Sequence, residues 1–142
     1  MTREFRFRLL RLILLCCGLT WGVSLLGVFA SWDTATRALQ GLGAGLVAYD
    51  PRLDYWLRMV AGAFGLLGIG YFLLALKPSD YRAVLPWAGW LMVLEGIVLA
   101  CHGVRLGLPP FPFYADIAAC FAGGGGILVL RRAAKPETEP PV

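Results

Sequence analysis

Four ionisable residues lie within otherwise apolar stretches of the sequence: Arg58, Glu95, His102 and Asp116. At the centre of a membrane span, a charged Arg, Lys or Asp costs about 2.5–3.5 kcal/mol on insertion scales, so such groups need partners or a function. An arginine can attract an anionic headgroup, a carboxylate can orient a polar ligand, and a carboxylate with a histidine can transfer protons. We therefore take these four residues as ligand-binding candidates and assign no catalytic residue.

Metal, haem and nucleophilic chemistry have less support. One histidine cannot supply the two axial ligands that a membrane haem usually has, and the cysteines show no C-x-x-C spacing. The cysteines are interpreted as small buried hydrophobic residues. No serine or cysteine stands at a recognisable spacing from a base. The sequence predicts no cofactor and no metal, and it favours a non-enzymatic role without deciding the question.

The candidate residues are carried by four apolar stretches, each about long enough to cross the hydrocarbon core as a helix. These stretches are 12–30, 56–76, 84–104 and 113–130. Of the 142 residues, 58% are hydrophobic and 15% are charged, whereas a soluble domain carries about 25% charged residues. The sequence therefore predicts an all-α integral membrane four-helix bundle. It forms one four-span domain over 1–130, followed by a disordered cytoplasmic tail over 131–142.

The basic residues indicate the orientation of the spans, since Lys and Arg concentrate on the cytoplasmic side. One side carries Arg3, Arg6, Arg8, Arg11, Lys77, Arg82, Arg131, Arg132 and Lys135. The other side carries Arg37, Arg52, Arg58 and Arg105. Nine basic residues against four place both termini in the cytoplasm, in a bacterial-type inner (plasma) membrane. These topology signals account for the net charge of +4, and nucleic acid is not an expected partner.

A short amphipathic segment separates the first two spans. Asp33 can cap a helix that continues to about Gly41, with apolar positions at Ala35, Ala38, Leu39 and Leu42. A helix of this kind is expected to lie on the outer membrane surface.

The depths of the ionisable residues differ. At a rise of 1.5 Å per residue, Arg58, His102 and Asp116 lie within roughly 5 Å of the outer ends of their spans. Glu95 lies about 13 Å below Val104, close to the midplane, which makes it the most costly residue to insert. Three spans thus bring ionisable groups to the outer half of the membrane.

Each of these residues belongs to a stripe along one helix face. Steps of three and four residues align Asp54, Arg58, Ala61, Gly65 and Gly68 on the second span. The same steps align Asp116, Ala119, Cys120, Gly123 and Ile127 on the fourth. Glu95, His102 and Arg105 share a face of the third. We expect the stripes to face the bundle interior, with Arg58 near Asp116 and with Asp54 and Arg105 at the rim of the site.

A structural interpretation stands beside each functional one. Arg58 and Asp116 could form an ion pair that only fixes the register of two helices. Glu95 could be a neutral acid that is hydrogen-bonded to a neighbouring helix. His102 could be a polar residue whose hydrogen bonds are satisfied by nearby groups.

The sequence also resembles a family of small bacterial four-helix membrane proteins, the BphX-like proteins. The resemblance is carried by Tyr55-Trp56-Leu57-Arg58-Met59 at the start of a glycine-rich span, by Lys77-Pro78, by Glu95 and His102-Gly103, and by Asp116. It covers roughly Trp56 to Leu130. It implies a four-helix membrane protein of undefined activity and assigns no catalytic role.

Three functions follow as expectations. The first is a small membrane protein that binds a small or amphiphilic molecule in an outer-leaflet polar pocket. The second is a structural or accessory subunit of a larger membrane complex. The third, with less support, is a proton-coupled carrier or a membrane oxidoreductase. The expected partners are membrane lipids, together with a membrane protein complex or further copies of the same chain.

Overall fold

The computed structural model describes residues 2–134, and over that range the protein is built from helices without any strand. Its α-helices are α1 (Arg3–Gly22), α2 (Leu26–Phe29), α3 (Trp32–Gly41), α4 (Pro51–Leu76), α5 (Leu85–Arg105) and α6 (Pro110–Leu130). A 3-10 turn, Val23–Leu25, joins α1 to α2, and a second, Arg131–Ala134, follows α6. The prediction of an all-α fold is confirmed for the described residues.

Four helical segments are long and apolar enough to cross a membrane, as the sequence predicts. They are Arg3–Phe29, Pro51–Leu76, Leu85–Arg105 and Pro110–Ala134. The first two begin well before the predicted apolar stretches, because polar residues can continue a helix beyond its apolar part. The start of α6 is irregular: Phe111 has φ −100° and ψ 134°, the extended conformation that a following proline favours.

Ordered structure continues past the predicted end of the last span. The 3-10 turn Arg131–Ala134 falls in the predicted disordered tail, and both Ala133 and Ala134 are buried. The remainder of that predicted tail, 135–142, lies outside the described residues.

The chain packs as two compact units. Unit A contains residues up to 17 and from 71 onward, and unit B contains residues 18–70. The divisions fall within α1 and within α4. The predicted single four-span domain is not decided by this division and stays a prediction.

Unit A is held together by close packing between α5 and α6. A Cβ atom placed on Gly124 would lie 2.7 Å from the carbonyl oxygen of Gly89, and one placed on Gly89 would lie 2.8 Å from Leu128 Cγ. The two helices therefore approach at positions where only glycine fits. Small residues allow such backbone contact, which supplies packing energy where lipid removes the hydrophobic drive for helix association.

Two arginines of α1 bind the carboxyl ends of neighbouring helices in unit A. Arg11 Nε donates to the carbonyl of Ala75, at 3.1 Å, near the end of α4. Arg6 Nη2 donates to the carbonyl of Val129, at 3.3 Å, near the end of α6. Carbonyls in the last turn of a helix lack partners within the helix and carry partial negative charge, so a guanidinium both satisfies and neutralises them.

Unit B contains the end of α1, α2, α3 and the start of α4. A Cβ atom on Gly65 would lie 2.7 Å from Leu25 Cβ, and one on Gly68 would lie 2.8 Å from the carbonyl oxygen of Gly18. The predicted α3 is present, but its N-cap is Ser31 and not Asp33: Ser31 Oγ accepts from the backbone N–H of Thr34 at 3.2 Å. A cap residue has extended backbone geometry, as Ser31 has, whereas Asp33 is already inside the helix.

Candidate functional site

Arg58 is engaged by groups of its own unit. Its Nε and Nη2 donate to Asp54 Oδ1 at 3.0 and 2.7 Å, one turn earlier on α4. Its Nη1 donates to the carbonyl of Gly27 at 2.7 Å and to the carbonyl of Ala30. Both carbonyls belong to the end of α2, where no further turn of helix exists to satisfy them.

This geometry uses four of the five N–H groups of the Arg58 guanidinium. The side chains of Arg58 and Asp54 are 23% and 27% exposed, so the pair is partly desolvated. Hydrogen bonds to charged groups contribute about 1.5–3 kcal/mol each when they are formed in such surroundings. Arg58 therefore links α4 to the end of α2. This is a structural role, the kind of role that stood as the alternative to ligand binding.

Asp54 was expected only at the rim of the site. The structure makes it the ion-pair partner of Arg58, at a spacing of four residues. A spacing of four residues places two side chains on one helix face, and this spacing could have indicated the ion pair from the sequence. The predicted contact between Arg58 and Asp116 joins residues of different units, and it stays a prediction.

The remaining candidates lie on α5 and α6 of unit A. Glu95 is half-buried, while His102, Arg105 and Asp116 are exposed. His102 Nδ1 is 2.9 Å from the carbonyl oxygen of Val98, one turn earlier on the same helix. A carbonyl can only accept, so Nδ1 donates this hydrogen bond and Nε2 is left for another partner.

Three of these side chains project from the same side of the α5–α6 pair. Gly96 and Gly103 of α5 face α6, since Cβ atoms there would lie 3.1 Å from Cys120 Cβ and 3.9 Å from Ile117 Cδ1. Glu95 and His102 immediately precede these two glycines, and Asp116 immediately precedes Ile117. Consecutive residues of a helix are about 100° apart around its axis. In two antiparallel helices, the residues that precede the facing residues therefore lie on the same side of the pair.

The levels of the three residues follow from the same contacts. His102 and Asp116 lie at one level, because the residues that follow them are in contact. Glu95 is seven residues before His102, which places it about 10 Å deeper along α5. Within the described part of unit A, neither the Glu95 nor the Asp116 carboxylate has a hydrogen bond or an ion pair. We call Glu95, His102 and Asp116 the acidic site.

The predicted stripe on α6 is buried along most of its length. Cys120, Gly123 and Ile127 are buried against neighbouring helices of unit A, whereas Asp116 near the amino-terminal end of α6 is exposed. On α4, Gly65 and Gly68 are buried. The small residues therefore serve close helix contact, as expected, and the ionisable residue at the end of each stripe has a separate environment.

Sequence reasoning missed one group of side chains. Cys17 Sγ and Met92 Sδ lie 3.7 Å apart in the core of unit A, and Cys120 is also buried there. No disulfide links the four cysteines, all of which are among the described residues. Cys17 and Cys120 are 103 positions apart, so no sequence spacing could have shown that their sulfur atoms share one core.

No model of a known protein family, no curated protein and no solved structure matches the chain. The resemblance to the BphX-like proteins consequently stays a prediction. The fold and the site therefore define only a general class. Over the described residues this is an all-helical protein with four helices long and apolar enough to cross a membrane, two of which carry the acidic site.

Proposed function

We propose that this protein spans the inner (plasma) membrane four times, with both termini in the cytoplasm, and binds a small amphiphilic molecule at the acidic site. The membrane location is supported by the four long apolar helices. It is also supported by large apolar side chains exposed on each of them, among them Leu19, Leu66, Leu91 and Val129. A soluble monomer rarely exposes apolar surface on this scale.

The observation that carries the binding proposal is the state of the ionisable groups. Glu95 and Asp116 lie on apolar helices without a hydrogen bond or ion pair inside the described part of their unit. Arg58, the residue first expected to attract a ligand, has its N–H groups committed to Asp54 and to the end of α2. The two carboxylates of the acidic site are therefore hydrogen-bond acceptors without a partner in the described part of their unit.

The chemistry of the ligand follows from these acceptors. Two carboxylates favour a cationic or hydrogen-bond-donating headgroup over an anionic one. Exposed apolar surface beside the site suits an alkyl or aromatic tail. A charge-assisted hydrogen bond from an ammonium group to Asp116, together with electrostatic attraction from Glu95 about 10 Å away, would offset the cost of keeping these carboxylates in a membrane span.

Thermal unfolding in a neutral glycoside detergent tests this proposal. Dodecylammonium, below its micelle concentration, is expected to raise the Tm of the wild-type protein, whereas dodecanoate has no such effect. A ligand at 100 times its Kd stabilises the folded state by about 2.7 kcal/mol. Glu95→Gln and Asp116→Asn should each weaken binding at least tenfold, because each removes one charged acceptor.

The matched control is Asp33→Asn, which removes an exposed carboxylate from α3, outside the acidic site. It should respond to dodecylammonium as the wild type does. Equal responses from all four proteins would rule out the acidic site as the binding site. If Glu95→Gln and Asp116→Asn instead lose a co-purifying membrane protein, the structural-subunit function replaces the binding function.

A further inference from the structure

Sulfur-containing side chains from three helices are buried in the core of unit A. They are Cys17 of α1, Met92 of α5 and Cys120 of α6, and they are 4%, 3% and 2% exposed. Cys17 Sγ and Met92 Sδ are separated by 3.7 Å. We call these three residues the sulfur cluster.

Gly123 of α6 makes room for the cluster. A Cβ atom at this position would lie 2.9 Å from Cys17 Sγ and 3.0 Å from Met92 Sδ, so any side chain there would displace both sulfur atoms. Cys120 lies three residues earlier, on the same face of α6 as Gly123. It also borders α5 one turn from Met92, since a Cβ atom on Gly96 would lie 3.1 Å from Cys120 Cβ.

We propose that the sulfur cluster binds a soft monovalent cation, Cu(I), through the two cysteine sulfurs and the methionine thioether. Soft thiolate and thioether ligands suit Cu(I), and a thioether is not among the ligands that Zn²⁺ usually takes. For a metal–sulfur bond of about 2.3 Å, a trigonal planar site would place its sulfur atoms about 4.0 Å apart. The observed pair has to open by only about 0.3 Å to reach that spacing.

Ligand number also favours Cu(I). Cu(I) displaces the protons of both cysteine thiols, the protons leave to water, and the metal stays in its +1 state throughout. The thioether donates as a neutral ligand, so the site carries one net negative charge. Zn²⁺ prefers four ligands, and these side chains supply only three.

Glu95 is three residues after Met92 on α5, which places it one helical turn from the cluster. The cluster does not depend on the amphiphile proposed above, because its three ligands are different residues.

Titration of the purified, reduced protein with Cu(I), under anaerobic conditions and against a colorimetric Cu(I) chelator, tests the proposal. The expected result is one Cu(I) bound per chain, with only sulfur ligands in X-ray absorption spectra. Cys17→Ala and Met92→Leu should each weaken binding at least tenfold. Met92→Leu keeps the size and shape of the side chain, so the fold should persist and a loss of binding would report the lost thioether.

The chain supplies matched controls in its two exposed cysteines, Cys16 and Cys101. Cys16→Ala and Cys101→Ala should bind Cu(I) like the wild type. Circular dichroism and Tm of every variant confirm that it is folded before the titration is interpreted. Absence of stoichiometric Cu(I) binding by the folded wild type, or equal affinity in wild type and Cys17→Ala, would overturn the proposal and leave the cluster as packing.

Discussion

Arginine side chains carry much of the local structure at the level of single residues. Arg6, Arg11 and Arg58 each donate to carbonyls near the carboxyl end of another helix. The planar guanidinium presents several N–H groups at once, which suits a helix end where several carbonyls lack partners. Arg58 is the most complete example because Asp54 holds the same guanidinium from the other side.

Replacing Arg58 tests this structural role. Arg58→Ala leaves two carbonyls and the Asp54 carboxylate without their donor, so we expect a loss of about 1.5–3 kcal/mol in unfolding free energy. Arg58→Lys should recover only part of it, because an ammonium group lacks the fork geometry. Unfolding in detergent followed by circular dichroism measures both losses.

Arg52→Ala is the control for that series. Arg52 is exposed on the same helix, and its removal should change stability by less than about 0.5 kcal/mol. Equal stabilities of Arg58→Ala and Arg52→Ala would show that the observed hydrogen bonds do not stabilise the fold.

Close contacts at glycine set the packing at the level of elements. In unit A, α5 and α6 approach until the backbone of one helix meets that of the other at Gly89 and Gly124. In unit B, the end of α1 meets α4 in the same way at Gly68. Glycine destabilises a helix by about 1 kcal/mol relative to alanine, and at these positions it allows the close helix contact.

Adjacent glycines of α6 allow a direct test of this packing. Gly124→Ala places a Cβ atom 2.7 Å from a backbone oxygen, so we expect a destabilisation of about 1–3 kcal/mol. At Gly125 a Cβ atom meets nothing within 4 Å. Gly125→Ala should therefore be neutral or slightly stabilising through helix propensity. Similar Tm values for the two variants would contradict the described α5–α6 contact.

Helical elements were well predicted from the sequence because long apolar stretches with charged or proline-rich ends specify them locally. The short helix α3 was also predicted, although its cap was assigned to Asp33 and not to Ser31. Two neighbouring polar residues can both cap, and only backbone geometry distinguishes them. The first two long helices begin before the predicted apolar stretches, since hydropathy marks the apolar part of a helix and not its end.

Site residues were predicted less completely, because their partners depend on tertiary contacts. Ionisable residues in apolar stretches identified Arg58, Glu95, His102 and Asp116. The sequence could not show that Arg58 binds the end of α2, since Gly27 and Ala30 offer only backbone atoms that every residue has. The sulfur cluster escaped notice for a similar reason, as its ligands come from three distant segments.

Topology is the first question at the level of the whole molecule. The loop between α4 and α5 is expected in the cytoplasm and the loop between α3 and α4 outside, following the distribution of basic residues. In a variant without native cysteines, Gly45→Cys should react with a membrane-impermeant maleimide in intact cells. Ser79→Cys should react only after the membrane is opened. The reverse pattern would invert the proposed orientation.

The acidic site gives the whole molecule its proposed activity, and native mass spectrometry tests that most directly. The protein is purified gently from its own membranes as wild type, as Glu95→Gln with Asp116→Asn, and as the Asp33→Asn control. We expect the wild type and the control to retain one cationic or amine-bearing small molecule per chain, and the double variant to lose it. A wild-type protein that carries no such molecule, or an identical bound molecule in all three proteins, would contradict this proposal.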